Sequence, residues 1–516
     1  MPEEPITEPR ARQARRRSPF LAALLSAIVP GIGHLYLGRR RRGWVFVGIT
    51  TALVVPAALL LAVVVFGSGL DLALAVSRPF FSSPNLLILL LVLNAALLGF
   101  RAFAVADAFL TAGPGEGRLA TRSILVAGLG VLLIATAVPH LYVGERNLLL
   151  HDLLTHDFVS DPNQTATTST STTSLPPAGG SAPSSTAPPT TTTSTLPAAF
   201  PEEGRVNILL LGGDSGVDRR GIRTDTMIVL SIDPATGWTA MFGIPRNLFG
   251  LPIPGGHPAQ GAWDNCPDCF GMIANELYAW GLKRPDLFGE PNSGANATKS
   301  LVGYLLDIDI HYFALVDLEG FVEIIDAIGG VDIVVTERVY DSAYPNEDGS
   351  ISVVDLTPGT YHMDGHLALY YARSRQGSHD FSRMNRQRCV LEALAEQADP
   401  VSLLRQFPTI VPAIESSVLT DLPMAAIPDF IELVAKVNTQ EIVSIRFMPD
   451  APEFAGTSTS YIGGWTADRY PIPDRDFIAQ TVATALSLPP LEAMEALNLQ
   501  PLDDLCGDTQ TADAQP

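Results

Sequence analysis

The sequence predicts an α/β outer domain, an α-β-α sandwich with a central mixed sheet, preceded by an all-α transmembrane domain. Three observations carry this. Ile208–Leu211 is continuously apolar and ends in Gly212 and Gly213, as a buried strand breaking into a tight turn does. Met227–Ile232 and Trp238–Ile244 flank Asp233-Pro-Ala-Thr-Gly237 and read as a hairpin, with helical and strand-like runs following in turn. Four apolar segments, 20–37, 44–66, 86–106 and 123–143, fill the first third of the chain.

The 516 residues suffice for more than one domain. A formal net charge of -21 argues against a general nucleic-acid binder, since no excess of cations faces a phosphate backbone. Hydrophobic residues make up 47% of the chain, and the mean hydropathy is positive because the N-terminal third is membrane-like.

Residues 1–19 are polar and basic and are expected to be cytoplasmic. A signal peptide would carry one short apolar core, whereas several long segments follow here, so 20–145 reads as a membrane domain. The last three segments approach or exceed the ~20 residues needed to cross a bilayer. The first is short and interrupted by Pro30-Gly31-Ile32-Gly33. Arg15–Arg17 and Arg39–Arg42 flank it on both sides, and both clusters should stay inside. Segment 20–37 is therefore expected to be interfacial or re-entrant, with spans at 44–66, 86–106 and 123–143 and everything after residue 144 outside. Four true spans would instead leave the C-terminal domain in the cytoplasm.

From Asp161 to Phe200 the chain is mainly Thr, Ser, Pro, Ala and Gly. Such a tract cannot bury enough surface to offset its ordering entropy, so 146–203 is expected to be a disordered Ser/Thr/Pro linker, either a simple spacer or a wall-spanning stalk. The outer domain is then 204–487. In it Thr298–Leu306 reads as a helix, Tyr312–Val316 as a strand, and Phe321–Ile328 as a helix stopped by Gly329-Gly330. Val331–Val335 and Ile442–Phe447 read as strands and Arg475–Leu486 as an amphipathic helix. Residues 488–516 read as a loose acidic tail.

Asp214, Arg223, Asp225 and Arg246 fall at or near strand ends, where open α/β sheets place their ligands. Carboxylates are hard oxygen ligands for magnesium, and arginine forks match phosphate oxygens. The competing reading of any one Arg–Asp pair is a solvated surface ion pair. A second cluster follows the same logic: Arg373 and Arg375 precede a helix that opens with Arg383, Arg386, Gln387 and Arg388. Cations normally prefer the opposite, C-terminal end of a helix, so arginines at this end point to an anion.

These stretches occur in a telling order. Asn207-Ile-Leu-Leu-Leu-Gly-x-Asp214, Arg223-Thr-Asp-Thr226, Ile244-Pro-Arg246, Gly329-Gly-Val-Asp332, Ala372-Arg-Ser-Arg375 and Arg383-x-x-Arg386-Gln387 together resemble the LytR-CpsA-Psr family over roughly 204–487. Ile273-Ala274-Asn275 with Tyr278-Ala-Trp-Gly281 is similar to another family segment, with Ala274 as one extra residue. Asn247 stands where the family usually has Asp, Met272 where a Lys is frequent, and the loop around Cys266 and Cys269 looks like an insertion.

The resemblance implies a membrane-bound phosphotransferase with its C-terminal domain extracellular, taking a glycopolymer from a polyprenyl-pyrophosphate carrier to a peptidoglycan hydroxyl in cell-wall assembly. It implies that Arg223, Arg246, Arg373, Arg375, Arg383, Arg386 and Gln387 hold pyrophosphate and that Asp214 and Asp225 hold Mg²⁺. Asp225, Arg246 and Arg373 would be the catalytic residues. The alternatives are a pyrophosphatase acting on the same carrier and a non-catalytic, membrane-anchored regulator or wall-binding module. Neither a Gly-x-Ser-x-Gly elbow nor a P-loop lysine motif is present. Cys266-x-x-Cys269 would need two further ligands to hold zinc and has no thioredoxin-like context, so a disulfide is expected. Of the three possible pairings, Cys266–Cys269 with Cys389–Cys506 is the expected one, a buried free thiol at Cys389 being the alternative.

Overall fold

The computed structural model of the protein describes residues 17–66, 70–113, 119–155, 200, 204–214, 222–346, 350–374, 380–397, 410, 417–449, 460–501 and 506. The chain divides into two compact units, 1–155 and 156–516.

The first unit is helical: α1 Pro19–Ile28, α2 Ile32–Tyr36, α3 Arg40–Phe66, α4 Leu70–Ser82, α5 Asn85–Ala112 and α6 Leu119–Thr155. Ser18 caps α1, accepting from the Leu21 backbone N–H, and Pro19 supplies the first-turn residue that has no N–H to leave unpaired. The break at Pro30-Gly31 falls where the sequence placed it, and α2 folds back on α1. Gly33 allows this, because a Cβ there would overlap the Ala22 carbonyl. Two polar contacts tie this hairpin to α5. His34 Nε2 lies 2.9 Å from Asp107 Oδ2, and an Arg101 guanidinium nitrogen donates to the Ala27 carbonyl at 2.9 Å. Two of the described helical stretches, α5 and Ser123–Thr155 of α6, are long and apolar enough to cross a bilayer by length and composition.

Two expectations are corrected here. Helix α4 lies between the expected spans 44–66 and 86–106, where no element was foreseen. Helix α6 runs to Thr155, so 146–155 is helical rather than linker. Leu148–Leu150 and Leu153–Leu154 prolong the apolar pattern, and Leu153 and Leu154 are 1% and 5% exposed. Residues 156–199 and 201–203 lie outside the described residues, as do 1–16 of the basic segment.

The second unit contains β1 Val206–Gly213, β2 Thr224–Ile232, β3 Thr239–Gly243, α7 Leu277–Gly281, α8 Pro285–Phe288, α9 Ser293–Leu306, β4 Tyr312–Val316, α10 Leu318–Ala327, β5 Val331–Val335, β6 Val339–Pro345, β7 Ile351–Leu356 and β8 Gly359–Met363. There follow α11 Gly365–Arg373, α12 Asp380–Gln397, β9 Val418–Thr420, α13 Ile427–Val434, β10 Val443–Arg446, β11 Ile462–Trp465, β12 Pro471–Pro473, α14 Arg475–Ser487 and α15 Pro490–Ala496. The main sheet has the order β10-β3-β2-β1-β4-β9. β1 runs parallel to β4 and β10 to β3, while β1–β2, β2–β3 and β4–β9 are antiparallel. The central sheet is thus mixed, as expected.

Alternation along the strands sorts side chains between two faces. Leu209, Leu211, Met227, Val229 and Phe242 pack on one face with Leu301 and Leu305 of α9 and Ile478 and Val482 of α14. Leu210, Ile228 and Met241 point the other way, toward Cys389 and Leu391 of α12. A smaller core joins α10, α11 and α12 to two separate two-stranded antiparallel sheets, β5–β8 and the hairpin β6–β7. The strand at Val331–Val335 therefore forms as expected but outside the main sheet.

The expected loose tail is also corrected. Pro490 starts α15, which buries Ala493 and Met494 against the main core. Further on, Cys506 is bonded to Cys389, and Cys266 to Cys269. The Cys389–Cys506 bond closes 117 residues, which on the chain-entropy account is worth roughly 4–5 kcal/mol. Cys506→Ser should therefore lower the thermal unfolding midpoint clearly, by differential scanning calorimetry, and the native chain should show no free thiol when denatured without reductant. An unchanged midpoint would mean that packing alone holds the C-terminal segment.

Candidate active site

Strand β1 delivers Asp214 to its C-terminal end, where the Asp214 backbone N–H donates to the Arg223 carbonyl at 2.8 Å. Gly212 lets β2 approach, since a Cβ there would sit 2.9 Å from the Thr226 Cβ. Asp225 follows on β2, and Arg246 stands just beyond β3 behind Pro245. Both sequence-predicted carboxylates thus reach one end of the sheet.

Asp225 meets three side chains among the described residues. One Arg246 nitrogen, Nη1, lies 3.0 Å from Asp225 Oδ1 and 2.9 Å from Oδ2. The Asn275 amide donates to Oδ1 at 3.0 Å. Arg383 brings Nη1 to 3.6 Å from Oδ2, and its Nη2 donates to the Asp225 carbonyl at 3.3 Å. Burial alone would push the Asp225 carboxyl up, but Arg246, Asn275 and Arg383 together outweigh it and hold the group below its ordinary value. Asp225 is therefore a carboxylate at neutral pH and a poor proton acceptor.

Arg373 ends α11 and pairs with Asp214, Nη2 to Oδ1 at 3.0 Å. Its other terminal nitrogen donates to the Tyr344 hydroxyl at 3.3 Å, with the guanidinium 5.9 Å from that ring centroid. Arg383 sits in the first turn of α12 and Gln387 one turn later. Both line a cavity of about 310 Å³ together with Asp214, Asp225 and Arg373. The remaining walls are mainly apolar, from Leu210 and Ile228 of the sheet, Phe321 and Ile325 of α10, and Val390 and Leu394 of α12. An apolar hole closed at one end by arginines and carboxylates fits a ligand with a hydrocarbon tail and an anionic head.

Three expected site residues behave differently. The Arg223 side chain is 62% exposed and meets Glu276 at 3.4 Å, so it stands at the rim. Arg375 lies outside the described residues. Arg386 is a correction: it is buried, and it donates from Nε to the Tyr371 carbonyl at 2.7 Å and from Nη2 to the Ser374 carbonyl. These carbonyls belong to the end of α11, which cannot satisfy them internally. Arg386 therefore fastens the chain segment that carries Arg373 and does not line the cavity. Its phase shows why. Arg383, Gln387, Val390, Leu391 and Leu394 follow the 3.6-residue period and line the cavity, and Arg386 lies off that stripe.

Sequence reasoning assigned no role to Asn275, Glu276 or Tyr344. Asn275 was visible inside a recognised segment, whereas Tyr344 belongs to β6, a strand that was not foreseen. The Tyr371 phenol beneath Arg386 is pushed up to about 12 by burial, the guanidinium only partly opposing this, so it stays protonated at neutral pH. Among the described residues, the one group of three potential metal-ligating side chains lying close together is Cys389, Glu392 and Cys506, and the disulfide takes both sulfurs.

A model of the LytR_cpsA_psr family matches residues 169–464. The chain is 31% identical over 220 residues to polyisoprenyl-teichoic acid–peptidoglycan teichoic acid transferase TagU of Halalkalibacterium halodurans, covering 42% of this chain and 61% of that protein. It is 27% identical over 256 residues to the TagU of Enterococcus faecalis, covering 48% and 73%. The chain thus spans about three fifths of the length of the first of these relatives. Among solved structures it is similar to Bacillus subtilis TagV, with a TM-score of 0.40, 21% identity, and coverage of 58% of this chain and 99% of that one. It is also similar to TagT bound to LI-WTA, at TM-score 0.39, 19% identity, and coverage of 58% and 92%.

The geometry separates two neighbouring arginines. Arg386→Ala orphans two carbonyls and should cost roughly 1–3 kcal/mol for each, read as a lower unfolding midpoint. Arg383→Ala should instead weaken binding of inorganic diphosphate by calorimetry. The opposite pattern would return Arg386 to the anion site. Asp225 also carries a pH signature. A carboxyl whose folded value is depressed stabilises the fold above its unfolded value and loses that contribution as pH falls through the folded one. Asp225→Asn should therefore be less stable than the native chain at neutral pH, and the two midpoints should converge below the ordinary value of 3.8. A gap that persists in acid would mean the loss is not electrostatic.

Proposed function

The chain belongs to the LytR-CpsA-Psr family, and from that premise we propose a membrane-anchored transferase that moves a glycopolymer, with a phosphate, from a polyprenyl diphosphate carrier to a peptidoglycan hydroxyl. One observation carries the reading. The apolar cavity matches a polyprenyl chain, and the Asp214–Arg373 and Asp225–Arg246–Arg383 groups at its end match a diphosphate. The relatives named as teichoic acid–peptidoglycan transferases support the same chemistry.

In this reading Arg246, Arg373 and Arg383, with Gln387, hold the diphosphate, while Arg223 meets the glycan side from the rim. The acceptor oxygen forms a new bond to the phosphorus nearest the glycan. The bridging P–O bond breaks, its electron pair leaves on polyprenyl phosphate, and the hydroxyl proton passes to water. Guanidiniums placed at the phosphoryl oxygens stabilise the charge that builds there. The donor set at the cavity end also fits magnesium, because Asp214 and Asp225 are two hard carboxylates beside a phosphate site. These two residues would hold the ion, which would neutralise diphosphate charge.

The membrane reading extends to the first unit. We assign spans to 44–66, 86–106 and 123–143, with 20–37 interfacial or re-entrant, so that the second unit stands outside the cell beside its lipid donor. An impermeant thiol reagent on intact cells should label Ser160→Cys and miss Arg42→Cys, and the reverse would sink this topology.

Transfer of a labelled polyprenyl-diphosphate glycan to peptidoglycan by the purified full chain tests the activity. Arg246→Ala, Arg373→Ala and Arg383→Ala should each lose roughly 10²-fold or more, the scale of one transition-state donor. Asp214→Asn and Asp225→Asn should lose the magnesium-dependent rate. Released phosphate without a covalent conjugate would make the protein a hydrolase.

A further inference from the structure

Asn275 occupies an unusual position for a neutral side chain. It is 4% exposed, and its amide N–H donates to Asp225 Oδ1 at 3.0 Å. That contact fixes the orientation of the amide, since turning it over would set its oxygen against the carboxylate. The other end, Oδ1, is buried and has no hydrogen-bond partner among the described residues. Burying an amide with one end unsatisfied costs about 1–3 kcal/mol, so packing alone gives no reason for an asparagine here.

The backbone around it is firmly held. The Asn275 N–H donates to the Arg246 carbonyl at 3.0 Å, and Ala274, Leu277 and Tyr278 are fully buried in the main core. The next residue, Glu276, meets Arg223. One short segment thus reaches Arg246, Asp225 and Arg223 together.

The described partners of the Asp225 carboxylate, Arg246, Asn275 and Arg383, differ in kind. Arg246 and Arg383 are cations and lie where a diphosphate would compete for them. Asn275 is neutral and anchored, so an arriving anion does not draw it away. We propose that Asn275 is a positioning residue: it keeps the Asp225 carboxylate aimed for a divalent cation while Arg246 and Arg383 turn to the diphosphate. This rests on the transferase reading above and adds to it a residue that touches neither substrate nor metal. Partners of this type, one step out from a metal ligand, typically change metal affinity by 10- to 100-fold when removed.

The test uses the full chain in detergent, with Mn²⁺ and inorganic diphosphate as probes. Protein-bound Mn²⁺ is read by electron paramagnetic resonance at saturating diphosphate, and diphosphate binding without metal is read by calorimetry. Asn275→Ala should weaken Mn²⁺ binding about 10- to 100-fold and leave metal-free diphosphate binding within about threefold, since the arginines that bind it remain. Asn275→Ser, which keeps a polar group too short to reach Asp225, should behave in the same way and serves if the alanine variant fails to fold. Native Mn²⁺ affinity in either folded variant overturns the proposal. So does an equal loss of both affinities, which would mark Asn275 as a packing residue. If the unaltered chain holds no Mn²⁺ with diphosphate present, the metal reading fails and this role with it, whereas intact metal binding in the variants refutes the positioning role alone.

Discussion

The Asp225 carboxylate is the constraint on which the rest of the site depends. Among the described residues four separate pieces of chain meet at it: β2 presents it, and Arg246, Asn275 and Arg383 approach from the loop after β3, the turn before α7 and the start of α12. A carboxylate this enclosed persists only if donors replace its water, and removing one partner of such a pair leaves the other buried and unmatched. The sheet order follows from the same need. β1 and β2 are antiparallel neighbours, so Asp214 and Asp225 reach the same sheet end, and Gly212 leaves room for Thr226 beside it.

Around that point the fold separates two tasks. One face of the sheet is fully packed by α9 and α14 and supplies stability. The other is covered by α10, α11 and α12 with a cavity left between. Arg386 shows how closely the two tasks are placed. It lies three residues from Arg383 on the same helix, yet it closes the end of α11 and so fixes where Arg373 begins.

Much of this was legible in the sequence, for reasons that can be stated. An apolar run ending in two glycines marks β1 because it satisfies strand burial and turn geometry at once. Asp214, Asp225, Arg246, Arg373 and Arg383 stood out because they fall at strand and helix ends within motifs whose order resembles one family. The segment at 146–155 was misread because its charged residues masked the leucine spacing that carries α6 onward. The hairpin of β6 and β7 escaped because Tyr344 and Val354 are spread among polar residues, and it took Tyr344 with it. Arg386 and Arg383 look alike as residue types, and only their angular phase on α12 tells them apart.

The proposed transferase needs the cavity and the arginine–carboxylate end to hold one molecule, a polyprenyl lipid with a phosphorylated head. Native mass spectrometry of the full chain purified from its own membranes in mild detergent tests this most directly. The expected result is a bound polyprenyl phosphate or diphosphate species, with or without glycan, that is depleted in the Arg383→Ala protein. A chain that carries only bulk phospholipid, in equal amount with and without Arg383, would contradict it.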